Sequence, residues 1–459
     1  MHLPSCCRWF SLLALATAAP PAWAMTFEVV EIPIIRSELP DVGWIRYPEN
    51  QLKAISADSS IMYGIAYTNM QAEPGKLFSI TAGGEVTIYE VPVYDILAIS
   101  GDGKTLIFNS TDEREYLIWT ASTGAVDLKE HLGVTQGESL GTSFSMNEDG
   151  TVITGSEVTV PYRSFYWSAE AGMKIFEDEI ELAAVSADGK TAVGTRYTRQ
   201  NTESPEGDYG MITSRQAFRW TEENGFEAIP FMPTEEDPEA GYRTKSSATG
   251  VSPDGRTVHG FGSFGPPTPW GTSTAFVWKG EGIPTPLENY LDAPQTKGAY
   301  GAAGGGVVMI HAEDSPFIID AEKGKRYISE LVEESGFDAE DLTLEEITGI
   351  SRDGSTIIGR GSTFKESTLE TTHIGWIIRD YPVPVVQPAI EMVPLDEDTI
   401  CLIWSPQPGV RHVLQVHNPD GTWTDLATHD ASSTEIGPYT YEVAVEDAAR
   451  YYRVVATKL

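Results

Sequence analysis

Cysteine is almost absent from this chain, which contains three cysteines among 459 residues. Cys6 and Cys7 lie near the beginning of the chain, so the remainder contains only Cys401. If residues 1–24 are removed as a leader, Cys401 is the only cysteine left and no intrachain disulfide can form, so we predict no disulfide-stabilised scaffold. We expect Cys401 to behave as a small buried apolar residue.

Basic residues are scarce as well. The 31 Lys and Arg stand against 67 Asp and Glu, which gives a formal net charge of -36. Such an excess of negative charge opposes nonspecific contact with nucleic acid and with anionic lipid. We therefore predict no nucleic-acid partner, and we interpret the acidic surface as one that favours solubility outside the cell.

Long apolar runs are also missing. The apolar stretch from Trp9 to Ala19 follows Arg8 and is too short to cross a bilayer. It leads to Ala22-Trp23-Ala24, the small-x-small pattern of a signal-peptidase site. We predict a signal peptide over residues 1–24 with cleavage after Ala24, no membrane insertion, and a periplasmic or extracellular location.

Familiar catalytic and cofactor motifs are not found either. The sequence has no HExxH, P-loop or paired-cysteine metal motif. The acidic segments 235–241 and 338–341 lack the alternating oxygen spacing of an EF-hand loop. We predict no cofactor, and Ca²⁺ or another divalent metal in an acidic loop is the alternative.

What the chain does have is a unit that recurs seven times between about residues 54 and 380. Its first half reads roughly A-x-x-S-x-D-G-x-T-x-x-G, and its second half carries two apolar residues spaced by two, followed in six units by a glycine turn. This spacing places both apolar side chains on one face of a strand. The pairs are Phe78/Ile80, Leu117/Trp119, Phe165/Trp167, Phe218/Trp220, Phe276/Trp278, Phe317/Ile319 and Ile374/Trp376.

Each unit is predicted to contain four short strands, which bury both faces of their sheet when the sheets are arranged radially. We therefore predict an all-β fold, a seven-bladed β-propeller over residues 25–380. The seventh unit lacks a fourth strand after Trp376, whereas residues 26–33 resemble the fourth-strand segment 226–230. We expect the mature N-terminal strand to pair into the last blade and close the propeller.

The repeat resembles the extracellular HAF repeat family of bacterial secreted proteins and, more loosely, the blades of TolB-like propellers. The resemblance rests on VSADGKTAVG with QAFRWTEENGFEAI, on VSPDGRTVHG with TAFVWKGEG, and on SFYWSAEAGM. The first and sixth units depart from it, with Ser59 and Gly306 at consensus turn positions. The resemblance implies a β-propeller fold but no particular activity.

A proline-rich linker at residues 381–388 precedes a C-terminal segment, residues 389–459, of alternating strands and turns. Its ICLIWSPQPG and YYRVVAT stretches resemble the fibronectin-type-III-like domains of secreted bacterial proteins, which implies a small β-sandwich. We expect its aromatic residues in the core, with a sugar-binding platform as the alternative. These residues are Trp404, Trp423 and Tyr452.

Long inserts are predicted on one side of the propeller. In a four-stranded blade, turns 1-2 and 3-4 lie on one side, the turn face, whereas loops 2-3 and the crossings between blades lie on the other side, the loop face. The short Asp-Gly and Gly turns fall on the turn face, so we place the functional surface on the loop face. The inserts are 37–53, 66–75, 156–163, 196–215, 230–247, 262–273, 332–346 and 361–373.

Basic and aromatic residues gather in these inserts. Arginine offers a planar fork for carboxylate or sulfate, and it also stacks on aromatic rings. We therefore predict a noncatalytic protein that binds a polysaccharide or protein ligand; pairing with local carboxylates is the alternative reading of these residues. The predicted ligand-binding residues are Trp44, Arg46, Tyr47, Tyr162, Arg163, Arg196, Tyr197, Arg199, Tyr242, Arg243 and Trp270.

A second hypothesis is a uronate lyase or another secreted carbohydrate-active enzyme. Such a lyase needs a cation for the uronate carboxylate and His or Tyr for proton transfer. We expect His259 and His311 at nearly equivalent places in neighbouring blades, facing the central channel at the loop-bearing end. The sequence matches no lyase motif, and the candidate catalytic residues are His259, His311, Tyr209 and Arg196. A third hypothesis is a structural surface or assembly hub.

Overall fold

The structure is a computed structural model that describes only part of the chain. The described residues are 25–30, 49–67, 75–110, 115–134, 140–157, 163–177, 179–199, 212–231, 245–263, 273–286, 296–302, 307–312, 316–320, 324–365, 370–382, 390–395, 399–404, 406–407, 410–418, 422–431, 438–444 and 452–458. Within these ranges the protein is nearly all β, with two short helices.

The first described strand, β1 (Thr26–Val29), belongs to the last of seven four-stranded sheets, which we number along the chain. Sheet 1 contains β2 (Glu49–Ile55), β3 (Ile61–Tyr67), β4 (Gly75–Thr81) and β5 (Val86–Val93). Sheet 2 contains β6 (Asp95–Ile99), β7 (Thr105–Asn109), β8 (Tyr116–Thr120) and β9 (Gly124–Asp127). Sheet 3 contains β10 (Ser143–Met146), β11 (Val152–Glu157), β12 (Arg163–Ser168) and β13 (Gly172–Phe176).

The remaining four-stranded sheets follow the same order. Sheet 4 contains β14 (Ile180–Val185), β15 (Thr191–Arg199), β16 (Ile212–Thr221) and β17 (Gly225–Ala228). Sheet 5 contains β18 (Ser246–Val251), β19 (Val258–Ser263), β20 (Ser273–Trp278) and β21 (Thr285–Pro286). Sheet 6 contains β22 (Thr296–Ala302), β23 (Val307–Ala312), β24 (Phe317–Asp320) and β25 (Gly324–Tyr327). Sheet 7 contains β26 (Leu342–Ile350), β27 (Ile357–Lys365), β28 (Glu370–Arg379) and β1.

The sheets follow one another in a closed circle. The first strand of each sheet contacts the first strand of the next, and β26 of sheet 7 contacts β2 of sheet 1. The circle is completed by β1, which pairs with β28 so that Phe27 lies opposite Ile378 and Val29 lies opposite Trp376. This confirms the predicted pairing of the N-terminal strand, which is described as far as residue 30. The first strands therefore line the centre of a β-propeller arrangement.

The apolar pairs of the repeat form the core between sheets. All their members are buried except Leu117, which is partly exposed. The glycine that ends the first half of the repeat lies opposite the first aromatic residue of the pair, as Gly64 lies opposite Phe78 and Gly260 opposite Phe276. A Cβ at Gly64 would sit 2.4 Å from the Phe78 ring, so only glycine leaves room for the aromatic side chain.

Two helices interrupt the strands. The helix α1 (Leu128–Leu132) begins at Asp127, whose side chain accepts a hydrogen bond from the Glu130 N–H. The helix α2 (Ile328–Glu334) buries an apolar face against sheet 7, where Leu331 contacts the core around Trp376. The predicted insert 332–346 is thus partly wrong, because α2 and β26 occupy both of its ends. No helix within the described ranges is long and apolar enough to cross a membrane.

The C-terminal part forms two three-stranded sheets. One contains β29 (Glu391–Pro394), β30 (Thr399–Trp404) and β33 (Tyr439–Ala444), and the other contains β31 (Val410–His417), β32 (Trp423–Asp430) and β34 (Tyr452–Lys458). Residues of both sheets, including Trp404, Leu414 and Val454, pack in one cluster. Trp404 and Cys401 are buried as predicted, and Tyr452 packs on the cluster. Trp423 differs, since it is half-buried beneath the guanidinium of Arg453 at 4.0 Å.

Candidate functional site

The repeat motif builds nearly identical turns on the turn face. In sheet 4, the Ser186 hydroxyl donates to Asp188 at 2.6 Å and accepts from the Thr191 N–H at 3.0 Å. The same serine–aspartate bond occurs in sheets 1, 2, 5 and 7, and Asn147 replaces the serine in sheet 3. The glycines of these turns have positive φ, and Ser59, which replaces one of them, adopts φ 60°. These residues are therefore occupied in holding the turns.

Backbone hydrogen bonds link these turns around the centre of the circle. The Arg352 N–H donates to the Ala57 carbonyl at 2.8 Å, the Ala57 N–H to Gly101 at 2.7 Å, and the Glu148 N–H to Ala187 at 3.0 Å. The Arg352 guanidinium also donates to the Glu148 carboxylate, which joins sheet 7 to sheet 3. Arg352 is only 8% exposed. These polar groups of the turn face are thus hydrogen-bonded or ion-paired to one another. We therefore take the loop face as the candidate site.

Two hairpins extend furthest toward the loop face. In sheet 4, β15 and β16 pair from Thr191 to Arg199, and in sheet 7, β27 and β28 pair from Ile357 to Lys365. The predicted inserts 196–215 and 361–373 therefore begin and end as strand. These extensions are not evident in the sequence, because their polar, irregular composition hides the alternation of a strand.

Most of the predicted ligand-binding residues lie outside the described residues. These are Trp44, Arg46, Tyr47, Tyr162, Tyr242, Arg243 and Trp270, together with the catalytic candidate Tyr209. Arg199 is the last residue of β15, but its side chain is also outside the described part. The predictions for these residues stay untested.

Four basic residues at the loop-face ends of sheets 3, 4 and 5 have no ion pair with any residue that the structure describes. Arg163 begins β12, Arg196 and Arg215 lie near the loop-face ends of β15 and β16, and Lys245 directly precedes β18. Arg163, Arg196 and Lys245 are exposed, and Arg215 is partly buried. No described carboxylate lies within ion-pair distance of any of the four. In a chain of net charge -36, an unpaired group of cations on one side is unexpected.

Cations on the turn face behave differently. Lys104 pairs with Asp102 at 3.0 Å, Arg256 pairs with Glu391 of the C-terminal part at 3.0 Å, and Arg352 pairs with Glu148. The Asp102 carboxyl would have a raised pKa from burial alone, but hydrogen bonds from Lys104 and Ser100 lower its pKa below the ordinary value. These positive charges are therefore neutralised within the protein.

The ring of Tyr197 packs against Arg215, and little of it is open to solvent. Its side chain is 8% exposed, and its hydroxyl donates to Glu181 at 2.5 Å. The Arg215 guanidinium lies over its ring at 5.5 Å from the centroid. Its ring is thus largely covered, because alternation along β15 exposes Arg196 and turns Tyr197 toward the interior, and its role in ligand binding stays a prediction. Arg215, Lys245 and Glu181 were not among the predicted site residues.

Histidines do not gather in the way that the lyase hypothesis expects. His259 lies opposite Val277, near the turn-face end of β19, whereas His311 lies near the loop-face end of β23. Their predicted equivalence is wrong, since Met309 and not His311 takes the corresponding place opposite Ile318. His259 is buried, and burial lowers its pKa to about 4. The side chain of His311 is outside the described part.

The other two histidines of the seven sheets have separate surroundings. His131 lies on α1 with its ring 5.2 Å from that of Trp167, and burial lowers its pKa. His373 lies on β28 with Nδ1 3.7 Å from a Glu345 carboxylate oxygen. Among the described residues, no group of three or more His, Cys, Asp or Glu side chains is arranged to hold a metal ion.

Comparison with known proteins gives only distant similarities. No family model and no curated protein matches the chain. It is similar to an acylaminoacyl peptidase of Pyrococcus horikoshii, with 11% identity over 79% of this chain and 58% of the peptidase and a TM-score of 0.46, so it spans less than two thirds of that protein. A putative TolB from Agrobacterium tumefaciens shares 12% identity over 62% of this chain and 89% of its own length, with a TM-score of 0.34.

A third similarity extends over most of both proteins. The WD40 domain of SCAP from fission yeast shares 9% identity over 91% of this chain and 99% of its own length, with a TM-score of 0.28. Because all three TM-scores lie below 0.5, these likenesses carry no argument about activity, and the β-propeller arrangement rests on the sheet topology.

Proposed function

We propose that this chain is an exported, noncatalytic β-propeller that binds an anionic glycan through the loop face of sheets 3 to 5. In this proposal the seven four-stranded sheets are seven blades, and the two C-terminal sheets form a small sandwich. The observation that carries the function is the unpaired group formed by Arg163, Arg196, Arg215 and Lys245. We call these four residues the basic group.

Chemistry favours an anionic oxygen ligand. Guanidinium groups bind carboxylates and sulfates through two parallel hydrogen bonds, and a site built mainly from arginine suits them. The Tyr197 ring packs against the Arg215 guanidinium and helps to hold it in place. Because the rest of the surface is acidic, an anion is attracted only where cations are locally in excess.

Binding assays on wild-type protein and variants test the proposal. Sulfated and carboxylated polysaccharides are titrated against wild type, Arg196→Ala, Arg215→Ala and Lys190→Ala. Lys190 is the matched control, because it is an exposed lysine without an ion pair in the turn of the same sheet. Hydrogen bonds to charged groups contribute about 1.5–3 kcal/mol, so each arginine variant should weaken binding about tenfold or more.

Three results would contradict the proposal. Lys190→Ala could weaken binding as much as the arginine variants do, or both arginine variants could bind like wild type. Binding could also be insensitive to NaCl, whereas attraction between exposed charges must weaken as salt rises. If an acidic protein binds in place of every glycan, the ligand class is wrong; if unsaturated uronate products appear, the lyase hypothesis replaces this one.

A further inference from the structure

A cavity of about 260 Å³ lies where the first strands of sheets 7, 1 and 2 meet. Its wall is formed by β26, β2 and β6, and it is mostly aliphatic. The lining residues that matter here are Lys53, Ile55, Leu97, Ile99, Thr348 and Ile350. The basic group lies on sheets 3 to 5, so this cavity is separate from the site proposed above.

Aliphatic residues of all three strands line the turn-side end of the cavity. Ile55, Ile99 and Ile350 each directly precede the polar residue that begins a turn of the repeat. Below them, the Arg352 N–H donates to Ala57 and the Ala57 N–H donates to Gly101, which ties these same three sheets together. These hydrogen bonds therefore fix the spacing of the three strands at the turn-side end of the cavity.

Lys53 is the only cation among the described residues that line the cavity. Its side chain is 18% exposed, and its ammonium lies 2.9 Å from the Asp95 carboxylate, which is 40% exposed. An ammonium group has three N–H donors, and Asp95 is the only described partner of Lys53. Lys53 thus retains donors that can reach a ligand, while Asp95 already compensates its charge.

We propose that this cavity binds a small, uncharged aliphatic molecule with one oxygen head group. The oxygen accepts a hydrogen bond from Lys53, and the aliphatic part packs against Ile55, Ile99 and Ile350. An uncharged head fits better than a carboxylate, because a second negative charge beside Asp95 would be repelled in a partly buried site. Thr348 does not compete for the oxygen, since its hydroxyl donates to the Leu52 carbonyl at 2.9 Å.

The size of the cavity limits the ligand. A volume of 260 Å³ is smaller than the roughly 300–1,000 Å³ of pockets for drug-sized ligands. The wall from Lys53 to Ile55 spans two residues of strand, or about 7 Å. A short aliphatic chain therefore fills the space below the ammonium.

A chain-length series tests this proposal on the intact protein. Binding of 1-butanol, 1-pentanol, 1-hexanol and 1-octanol is measured by ligand-observed NMR, with the carboxylates of the same lengths as competitors. Burial of a methylene group contributes about 0.8 kcal/mol, so affinity should rise about fourfold per carbon until the cavity is full. The carboxylates should bind more weakly than the alcohols.

Matched variants locate the binding. Lys53→Met keeps the length of the side chain and should weaken alcohol binding about tenfold, whereas Lys104→Met, which also removes a lysine paired with an aspartate, should have no effect. Ile99→Phe fills the cavity and should abolish binding of the longer alcohols. Ile175→Phe is its control, because Ile175 is 49% exposed on another sheet.

The outcomes separate clearly. A flat chain-length series, carboxylates that bind more tightly than alcohols, or equal binding by Ile99→Phe and Ile175→Phe would each overturn the proposal. If Lys53→Met does not fold, the wild-type series and the Ile99→Phe comparison still decide. The two proposals are tested independently, because the arginine variants should lose glycan binding and still bind the alcohols as wild type does.

Discussion

The closure of the circle depends on one short strand that is remote in sequence from the rest of its sheet. Phe27 is the buried aromatic residue of β1, at 8% exposure. Its ring meets Phe337 edge-on at 4.8 Å and stacks near Trp376 at 6.1 Å. The strand is also held by Glu28, which pairs with Arg379 at 2.9 Å. We predict that Phe27→Ala releases this strand from sheet 7.

The expected loss of free energy in Phe27→Ala follows from the packing of the Phe27 side chain. Replacing a core phenylalanine by alanine costs about 3–5 kcal/mol, and the aromatic contacts of Phe27 place it within this range. A loss of about 4 kcal/mol changes an equilibrium constant by roughly a thousandfold. Because β1 is the outer strand of sheet 7 and pairs along one edge only, this loss should appear first as local opening rather than as global unfolding. The neighbouring strand β28 would then lose its outer partner.

Hydrogen exchange measured by mass spectrometry distinguishes local opening from global unfolding. Phe226→Ala is the matched control, since Phe226 lies in the fourth strand of sheet 4 with edge-on contacts to Phe176 and Phe218 at 5.4 and 5.1 Å. We expect faster exchange in β1 and β28 of Phe27→Ala at denaturant concentrations where Phe226→Ala keeps β16 protected. Unchanged exchange in β28 of Phe27→Ala would refute this account of the closure.

Three further predictions concern groups inside the circle. Glu148→Ala should lower the free energy of unfolding in urea by about 3 kcal/mol, because it removes the carboxylate that pairs with the buried Arg352 guanidinium; Arg352→Met should lower it less, and the reverse order would contradict the ion-pair argument. Ser186→Ala should lower the free energy of unfolding by about 2 kcal/mol, since the buried Ser186 hydroxyl both donates to Asp188 and accepts from a backbone N–H. A decrease below about 0.5 kcal/mol would mean that the turn does not depend on this hydroxyl. His259 has a pKa of about 4 in the folded protein, so only the unfolded chain takes up its proton as pH falls from about 6.5 to 4. Across this window the free energy of unfolding of wild type should fall by about 3 kcal/mol through His259, and that of His259→Val should fall less. Parallel pH profiles of the two proteins would exclude His259 as the cause.

The turns and the core could be predicted because their interactions are local and repeated. The Ser186–Asp188 bond spans two residues, and the same spacing in other units predicts the same turn. The pairing of Gly64 with Phe78 follows from the hairpin register, which the turn sets. Even Ser59, which departs from the consensus, adopts the positive φ of the glycine that it replaces.

Contacts across the circle could not be predicted in this way. Arg352 and Glu148 are 204 residues apart in sequence and meet only because seven sheets return to their starting point. Both occupy the variable position between serine or asparagine and aspartate, which carries no repeat signal. Lys53 likewise faces the cavity because β2 has a bulge between Leu52 and Ala54, and a bulge changes which side of a strand a residue faces.

The basic group shows why a cation in a loop cannot be assigned from sequence alone. Arg215 and Arg219 lie four residues apart on one face of β16, and local carboxylates are available to both in the sequence. Arg219 lies opposite Glu227 in the neighbouring strand and pairs with it at 2.6 Å. Arg215 lies opposite Tyr197, with Lys245 bridged beside it, and has no carboxylate partner in the described part of the chain. Strand register therefore neutralises one arginine and leaves the other without a described carboxylate partner, and register is a property of the folded sheet.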